Sequence, residues 1–210
     1  MSFLALLWAG LALAQAEPAD AGIPAARGVQ IEKRAGDKAL FSQGSGVYLG
    51  NGLVLTAAHV VTINKQDPTL SVILDGWRVD GKVAAVAPAP LDLALVKIDP
   101  AALSKQRREM PALPVCEGDT KPNQPVVVVA QGALSLSQTV GGPIRSDALN
   151  GDWRDILATG YHHGASGGGI YDAGSGCLRG IIIIEASNGA VDLTQFLPPA
   201  KIVPFLTSYH

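Results

Sequence analysis

Short apolar runs, each closed off by Gly, Asn or Asp, recur from Gly28 to Gln195, and this punctuation limits what the chain can fold into. Runs that are brief, rich in Val, Ile and Leu and separated by tight turns build many short strands rather than a helical bundle. Residues 29–33 alternate apolar and polar side chains, as a half-buried strand does. A short run at 39–41 follows a turn at Gly36-Asp37, and 46–49 passes through Gly50-Asn51-Gly52 into 53–56, a hairpin signal. Asp75-Gly76 and Asp80-Gly81 separate the runs at 70–74, 77–79 and 83–86, and 93–98 completes this group. After an irregular stretch at 99–114, strands resume at 125–130, 134–140, 155–159, 168–171, 178–184 and 190–195. Residues 198–206 read as a turn or two of helix. Two groups of strands on either side of a linker predict an all-β fold of two antiparallel barrels. The first spans about 28–99, the linker about 100–114, the second barrel about 115–197 and the helix about 198–207. The charged run from Lys105 to Glu109 reads as a solvated face.

Composition narrows the classes. With 210 residues, 48% of them apolar and 16% charged, the chain is too hydrophobic to be disordered and long enough for two small barrels. Sixteen basic against eighteen acidic residues give a formal charge of −2, which leaves no basic footprint for nucleic acid. The first charged residue is Glu17, and 3–14 is an almost unbroken apolar run ending in Ala14-Gln15-Ala16. That pattern resembles a secretory signal peptide, here 1–16, although Met1-Ser2 lacks the usual basic residue. A buried N-terminal helix or an uncleaved anchor would use the same residues. The run is shorter than the ~20 residues a membrane span needs, and no later stretch is longer. The mature chain is therefore expected to be exported, to periplasm or medium, and not to enter a membrane. Residues 17–27, rich in Ala, Pro and Gly, read as a flexible arm. Cys116 and Cys177 can pair in an exported chain or remain two buried thiols, and two cysteines alone cannot build a structural zinc site.

Four histidines make elimination possible. His210 ends the chain, His162 and His163 precede Ser166 in a loop, and adjacent side chains diverge too far to make a metal pair. His59 stands at the end of the apolar strand in Leu55-Thr56-Ala57-Ala58-His59. Gly164-Ala165-Ser166-Gly167-Gly168-Gly169 surrounds a serine with glycines that permit a tight turn and aim backbone N–H groups inward, as an oxyanion site requires. Asp92 opens the strand Leu93-Ala94-Leu95-Val96, where a carboxylate can fix a histidine tautomer. Each feature alone has a bland reading: a turn, a cap, a core histidine. Their order is His, Asp, Ser.

Taken together, Thr56-Ala57-Ala58-His59, Asp92-Leu93-Ala94-Leu95 and Gly164-Ala165-Ser166-Gly167-Gly168 resemble the signature segments of trypsin-like serine proteases. The short loops and Asp-Leu-Ala-Leu are closer to the bacterial HtrA-type protease domain, and the likeness runs from about Gly44 to Leu206. The resemblance implies a chymotrypsin-like fold of two six-stranded barrels with a C-terminal helix, and a polypeptide substrate cut through an acyl-enzyme. It makes Ser166 the nucleophile, His59 the general base and then acid, and Asp92 its orienting group. The N–H groups of Gly164 and Ser166 become the oxyanion hole. No cofactor and no metal is implied. The family's primary pocket falls on Gly160, Ile183, Ile184 and Glu185. Gly160 sits where trypsin has an acid, so strict cleavage after Arg or Lys is disfavoured, and Ile183, Ile184 and Glu185 at the pocket's edge imply small or medium apolar side chains. The resemblance also implies a Cys116–Cys177 bond in the second barrel, worth roughly 4 kcal/mol in a loop-entropy model. HtrA-type proteins usually carry a peptide-binding PDZ domain after the protease. With the chain ending at His210, regulation by one is not expected. Substrate identity and oligomeric state stay open.

Two positions depart from the family pattern. Ala165 replaces the acid or amide before the serine, and Gly169 replaces a proline. In trypsin-type zymogens that acid receives a freed N-terminal amine, so Ala165 excludes activation by that route. Three consecutive glycines cost entropy to order, which predicts a loop that is mobile until substrate binds. A protease-like domain that binds peptide without turnover is the rival reading. An α/β-hydrolase is excluded because its acid and histidine follow the serine, and only His210 lies downstream.

Overall fold

The computed structural model describes residues 22–34, 40–62, 69–145, 153–157, 160–161, 163–187 and 192–209. The signal-like segment, the turn at Gly36-Asp37, His162 and His210 lie outside them. Strands β1 (Gly28–Arg34), β2 (Leu40–Gly50), β3 (Leu53–Thr56), β4 (Thr69–Leu74), β5 (Trp77–Val86) and β6 (Ala94–Ile98) close into an antiparallel barrel in the order β1-β2-β3-β6-β5-β4. Strands β7 (Pro125–Ala130), β8 (Ala133–Arg145), β9 (Trp153–Leu157), β10 (Gly169–Asp172), β11 (Leu178–Ser187) and β12 (Asp192–Leu197) close a second, in the order β10-β11-β12-β9-β8-β7. Helical pieces are short: α1 (Gly22–Ala25), α2 (Ala58–Val61), α3 (Lys105–Arg108) and the C-terminal α4 (Pro199–Tyr209). This is the chymotrypsin-like architecture expected from the sequence. Among the described residues no helix is long and apolar enough to cross a membrane.

Turn chemistry sets the hairpins. Asn51-Gly52, Asp75-Gly76 and Gln131-Gly132 all hold positive φ at both positions, the geometry that matches the twist of the strands they join. Asp80-Gly81, by contrast, is no turn: it lies inside β5, which runs unbroken where two strands were expected. A Cβ at Gly81 would come within 2.9 Å of Val96 Cγ1, so glycine here lets the strand coil tightly against β6. β2 likewise joins the two short runs expected around Gly44 into one strand.

Alternation along the second barrel sorts its apolar residues into two sets. Val127, Val129, Tyr171, Ile181 and Ile183 join the core of the first barrel and Ile202 and Phe205 of α4, so this set faces outward to those neighbours. Val126, Val128, Ile170, Ile182 and Phe196 form the separate inner cluster. The lack of alternation at 181–183 follows, since both faces of β11 are covered there.

The linker is not a plain solvated spacer. Arg107, in the middle of the charged run, is buried, and its guanidinium pairs with Asp75 at the β4–β5 turn, with Nε donating at 2.8 Å. That hydrogen bond holds the Asp75 carboxyl below its usual range. The expected flexible arm is tied down over its last residues too. Arg27 is buried and donates to the Tyr48 and Pro111 carbonyls, so the chain is fixed before β1 begins. At the far end of the linker, Leu178 N–H donates to the Pro114 carbonyl and Cys116 N–H to the Leu178 carbonyl. Cys116 and Cys177 are joined by a disulfide beside this bridge, which settles the choice between bonded and free thiols.

One buried charge stands against the fold. Lys33 on β1 is buried, its ammonium donating to the Thr62 carbonyl, and burial pushes its pKa down to about 8. Below that pH the folded state holds a poorly solvated cation. Between about 8 and the ordinary lysine value near ~10.4, the unfolded chain binds a proton that the folded chain does not, so this residue's contribution to stability improves as pH rises through the window. Lys33→Met should stabilise the protein at neutral pH by up to about 3 kcal/mol and abolish that rise, as read by denaturant unfolding from pH 7 to 10.5.

Candidate active site

β3 pairs with β6 in a register that sets Thr56 opposite Ala94. The residues just beyond these paired ends, His59 on α2 and Asp92 before β6, are thereby brought together. The Asp92 carboxylate is used twice by His59. Oδ1 accepts the backbone N–H at 2.9 Å and Oδ2 accepts from Nδ1 at 2.7 Å. An ionised carboxylate can only accept, so Nδ1 is the donor of this pair, and in the neutral imidazole that leaves the lone pair on Nε2. His59 is half-exposed while Asp92 is more sheltered, which suits a base facing solvent and an orienting acid behind it.

Ser166 comes from the other barrel, in the loop that enters β10. Gly164 and Gly167 hold φ of +94° and +85°, conformations that side chains rarely adopt. Gly167 N–H donates to the Ile182 carbonyl at 2.7 Å and Gly168 N–H to the Ala165 carbonyl at 2.8 Å. Ser45 on β2 reaches across from the first barrel: its N–H donates to the Ser166 carbonyl at 2.8 Å and its hydroxyl to the Gly164 carbonyl at 2.7 Å. Gln131, in the β7–β8 turn, donates its backbone N–H to the Ser45 hydroxyl at 2.8 Å and its side-chain amide to the His163 carbonyl. Among the described residues, no group accepts the N–H of Gly164 or Ser166. The loop expected to be mobile is thus tied at several backbone atoms.

Both departures from the family pattern have a packing reason. Ala165 is buried in the inner cluster of the second barrel, beside Val128, Ile170 and Ile182, where an unpaired acid would be costly. A Cβ at Gly169 would meet Val47 Cγ2 at 2.6 Å and the Tyr171 hydroxyl at 2.7 Å, leaving no room for a proline ring.

Gly160 lies partly exposed in the loop before the serine. Ile183 buries its side chain in the larger core, and its carbonyl is the atom that reaches the site, accepting from the Ser166 hydroxyl at 3.2 Å. Ile184 and Glu185 follow in β11, paired with Gln195 and Thr194 of β12, and their side chains lie outside the described set. His163 is exposed and enters through its carbonyl alone. Ser45 and Gln131 were not found from the sequence. The only local signal for Ser45 is its place between two glycines in a strand.

A model of the trypsin-like peptidase domain matches residues 44–181. The chain belongs to that family and is a serine endopeptidase. Its fold is similar to the Rv3671c protease of M. tuberculosis in its active form, with a TM-score of 0.69, 18% identity, and coverage of 89% of this chain and 82% of that one. The inactive form of the same protease gives 0.67 at 17% identity, covering 90% and 91%. The serine endoprotease from Yersinia pestis gives 0.66 at 19% identity, covering 90% of this chain and 64% of that one. No curated protein matches the sequence significantly.

Gly167 tests how tightly the barrels meet. A Cβ there would lie 2.1 Å from the Ser45 carbonyl oxygen and 2.2 Å from Thr56 Oγ1, both rigid. Gly176 has φ of +70° but open space around it. Gly176→Ala should cost about 1–2 kcal/mol of backbone strain alone, whereas Gly167→Ala should cost several-fold more in Tm and displace the serine loop. Thermal unfolding of the two variants side by side checks this.

Proposed function

We propose that this chain is an exported endopeptidase that hydrolyses polypeptides through an acyl-enzyme on Ser166, with His59 as general base and Asp92 orienting it. The bidentate use of Asp92 by His59 carries the reading, because it leaves Nε2 basic and pointed by a fixed partner. In the reaction the Ser166 hydroxyl turns from the Ile183 carbonyl toward Nε2 and attacks the scissile carbonyl as Nε2 takes its proton. The N–H groups of Gly164 and Ser166 stabilise the oxyanion, and loss of one such donor typically costs about 2.7–4 kcal/mol. His59 then hands the proton to the leaving amine, and water repeats the sequence on the acyl-enzyme. The absence of an acid at Gly160 disfavours strict cleavage after Arg or Lys. Export is supported by the signal-like segment and by the Cys116–Cys177 bond, which suits an oxidising compartment.

One observation favours a second reading, a protease-like domain that is silent until a partner binds. The Ser166 hydroxyl is engaged by the Ile183 carbonyl, and no hydrogen bond to His59 is made among the described residues.

Labelling of the folded chain with a fluorophosphonate separates the two. The wild type should label, Ser166→Ala and His59→Ala should not, and Asp92→Asn should turn over peptide about 10⁴-fold more slowly by misplacing the tautomer. A folded wild type that stays unlabelled, but labels once a protein partner is added, would establish the second reading instead.

A further inference from the structure

In trypsin-type enzymes a charge pair at the position of Ala165 orders the oxyanion loop, and here that position is apolar and buried. We propose that Ser45 and Gln131 are positioning residues that together form an uncharged clamp holding the oxyanion hole open without any activating cleavage. The inference rests on the serine-protease reading above.

A trans peptide points its C=O and its N–H in opposite directions. Gln131 Nε2 donates to the His163 carbonyl, so the Gly164 N–H in the same peptide is directed away from Gln131. In the next peptide, the Ser45 hydroxyl fixes the Gly164 carbonyl at 2.7 Å. Gly164 is thus pinned on both sides, at a φ of +94° and with its missing Cβ only 2.6 Å from Gln131 Nε2. A side chain here would push out the very amide that orients the loop. The third tie is the Ser45 N–H on the Ser166 carbonyl, which fixes the peptide just after the nucleophile.

The two residues also hold each other. Gln131 N–H donates to Ser45 Oγ, which frees that hydroxyl's own proton for Gly164. Ser45 is buried, and its carbonyl accepts from Thr56 Oγ1 at 2.7 Å, so its position is set by β3 and not by solvent. With the loop carbonyls drawn toward β2 and the β7–β8 turn, the N–H groups of Gly164 and Ser166 remain without acceptors among the described residues, as a site awaiting an oxyanion requires. None of the clamp's atoms titrates near neutral pH.

Ser45→Ala removes one tie. Gln131→Asn keeps a residue that tolerates the left-handed φ of +53° but is one methylene too short to reach the His163 carbonyl. Each variant is expected to lower kcat for a peptide amide by about tenfold or more with KM within twofold, and to weaken binding of a peptide boronate in parallel. The boronate mimics the tetrahedral oxyanion, so its affinity reports the hole and not general folding. Gln131 is exposed, so its variant should fold even if Ser45→Ala lowers Tm. A wild type that labels with fluorophosphonate, while both variants keep its kcat and boronate affinity, overturns the clamp and leaves the protease reading standing. A wild type that neither labels nor binds boronate overturns both.

Discussion

Everything at this site depends on one crossing point, where Ser45 of the first barrel touches the 164–168 loop of the second. His59 and Asp92 belong to the first barrel and Ser166 to the other, so no single barrel contains the candidate site. Ser45 sets the distance between them through its N–H on the Ser166 carbonyl, and Gly167 lies flush against its carbonyl with no space for a methyl group. The larger core reinforces the crossing by running from the first barrel into the outward face of the second. Apolar burial supplies the adhesion, and the hydrogen bonds at Ser45 supply the register.

The loop around Ser166 shows how one requirement can be met by different chemistry. Ordering a segment with three consecutive glycines costs entropy, and a charged pair is one way to offset it. Here the offset is spread over neutral hydrogen bonds to β2, β11 and the β7–β8 turn, and over burial of Ala165. Neutral bonds of this kind are weakly screened by salt and indifferent to the state of the N-terminus. The Ser166 hydroxyl is the least committed part of the arrangement, resting on the Ile183 carbonyl through one bond of 3.2 Å.

Much of this was legible in the sequence because it was encoded locally. Positive-φ turns announce themselves as Asn51-Gly52 and Asp75-Gly76, and the period of the apolar residues marks the strands. His59 stood out because histidines are few. What stayed hidden was encoded by partners far away in the chain. Arg107 sits in a run of charges that looks solvated, and only Asp75 makes it an interior residue. Asp80-Gly81 looks like a turn until the tight packing of Gly81 on Val96 is seen. Ser45 is an unremarkable small residue until the loop that begins at Gly164 arrives beside it. Ile183 is a pocket candidate only through the family resemblance, and nothing in the local sequence says that its side chain enters the larger core while its carbonyl accepts from the Ser166 hydroxyl.

The disulfide gives the covalent structure a second property. Its two ends lie 61 residues apart, and the ring they close contains Ser166 while leaving His59 and Asp92 outside. A single backbone cut anywhere between Cys116 and Cys177 opens that ring without releasing a fragment, so Ser166 remains covalently tethered to the chain that carries His59 and Asp92. For an enzyme that cleaves polypeptides among copies of itself, a nick in its own second barrel then becomes an internal scar rather than a loss of the segment around Ser166.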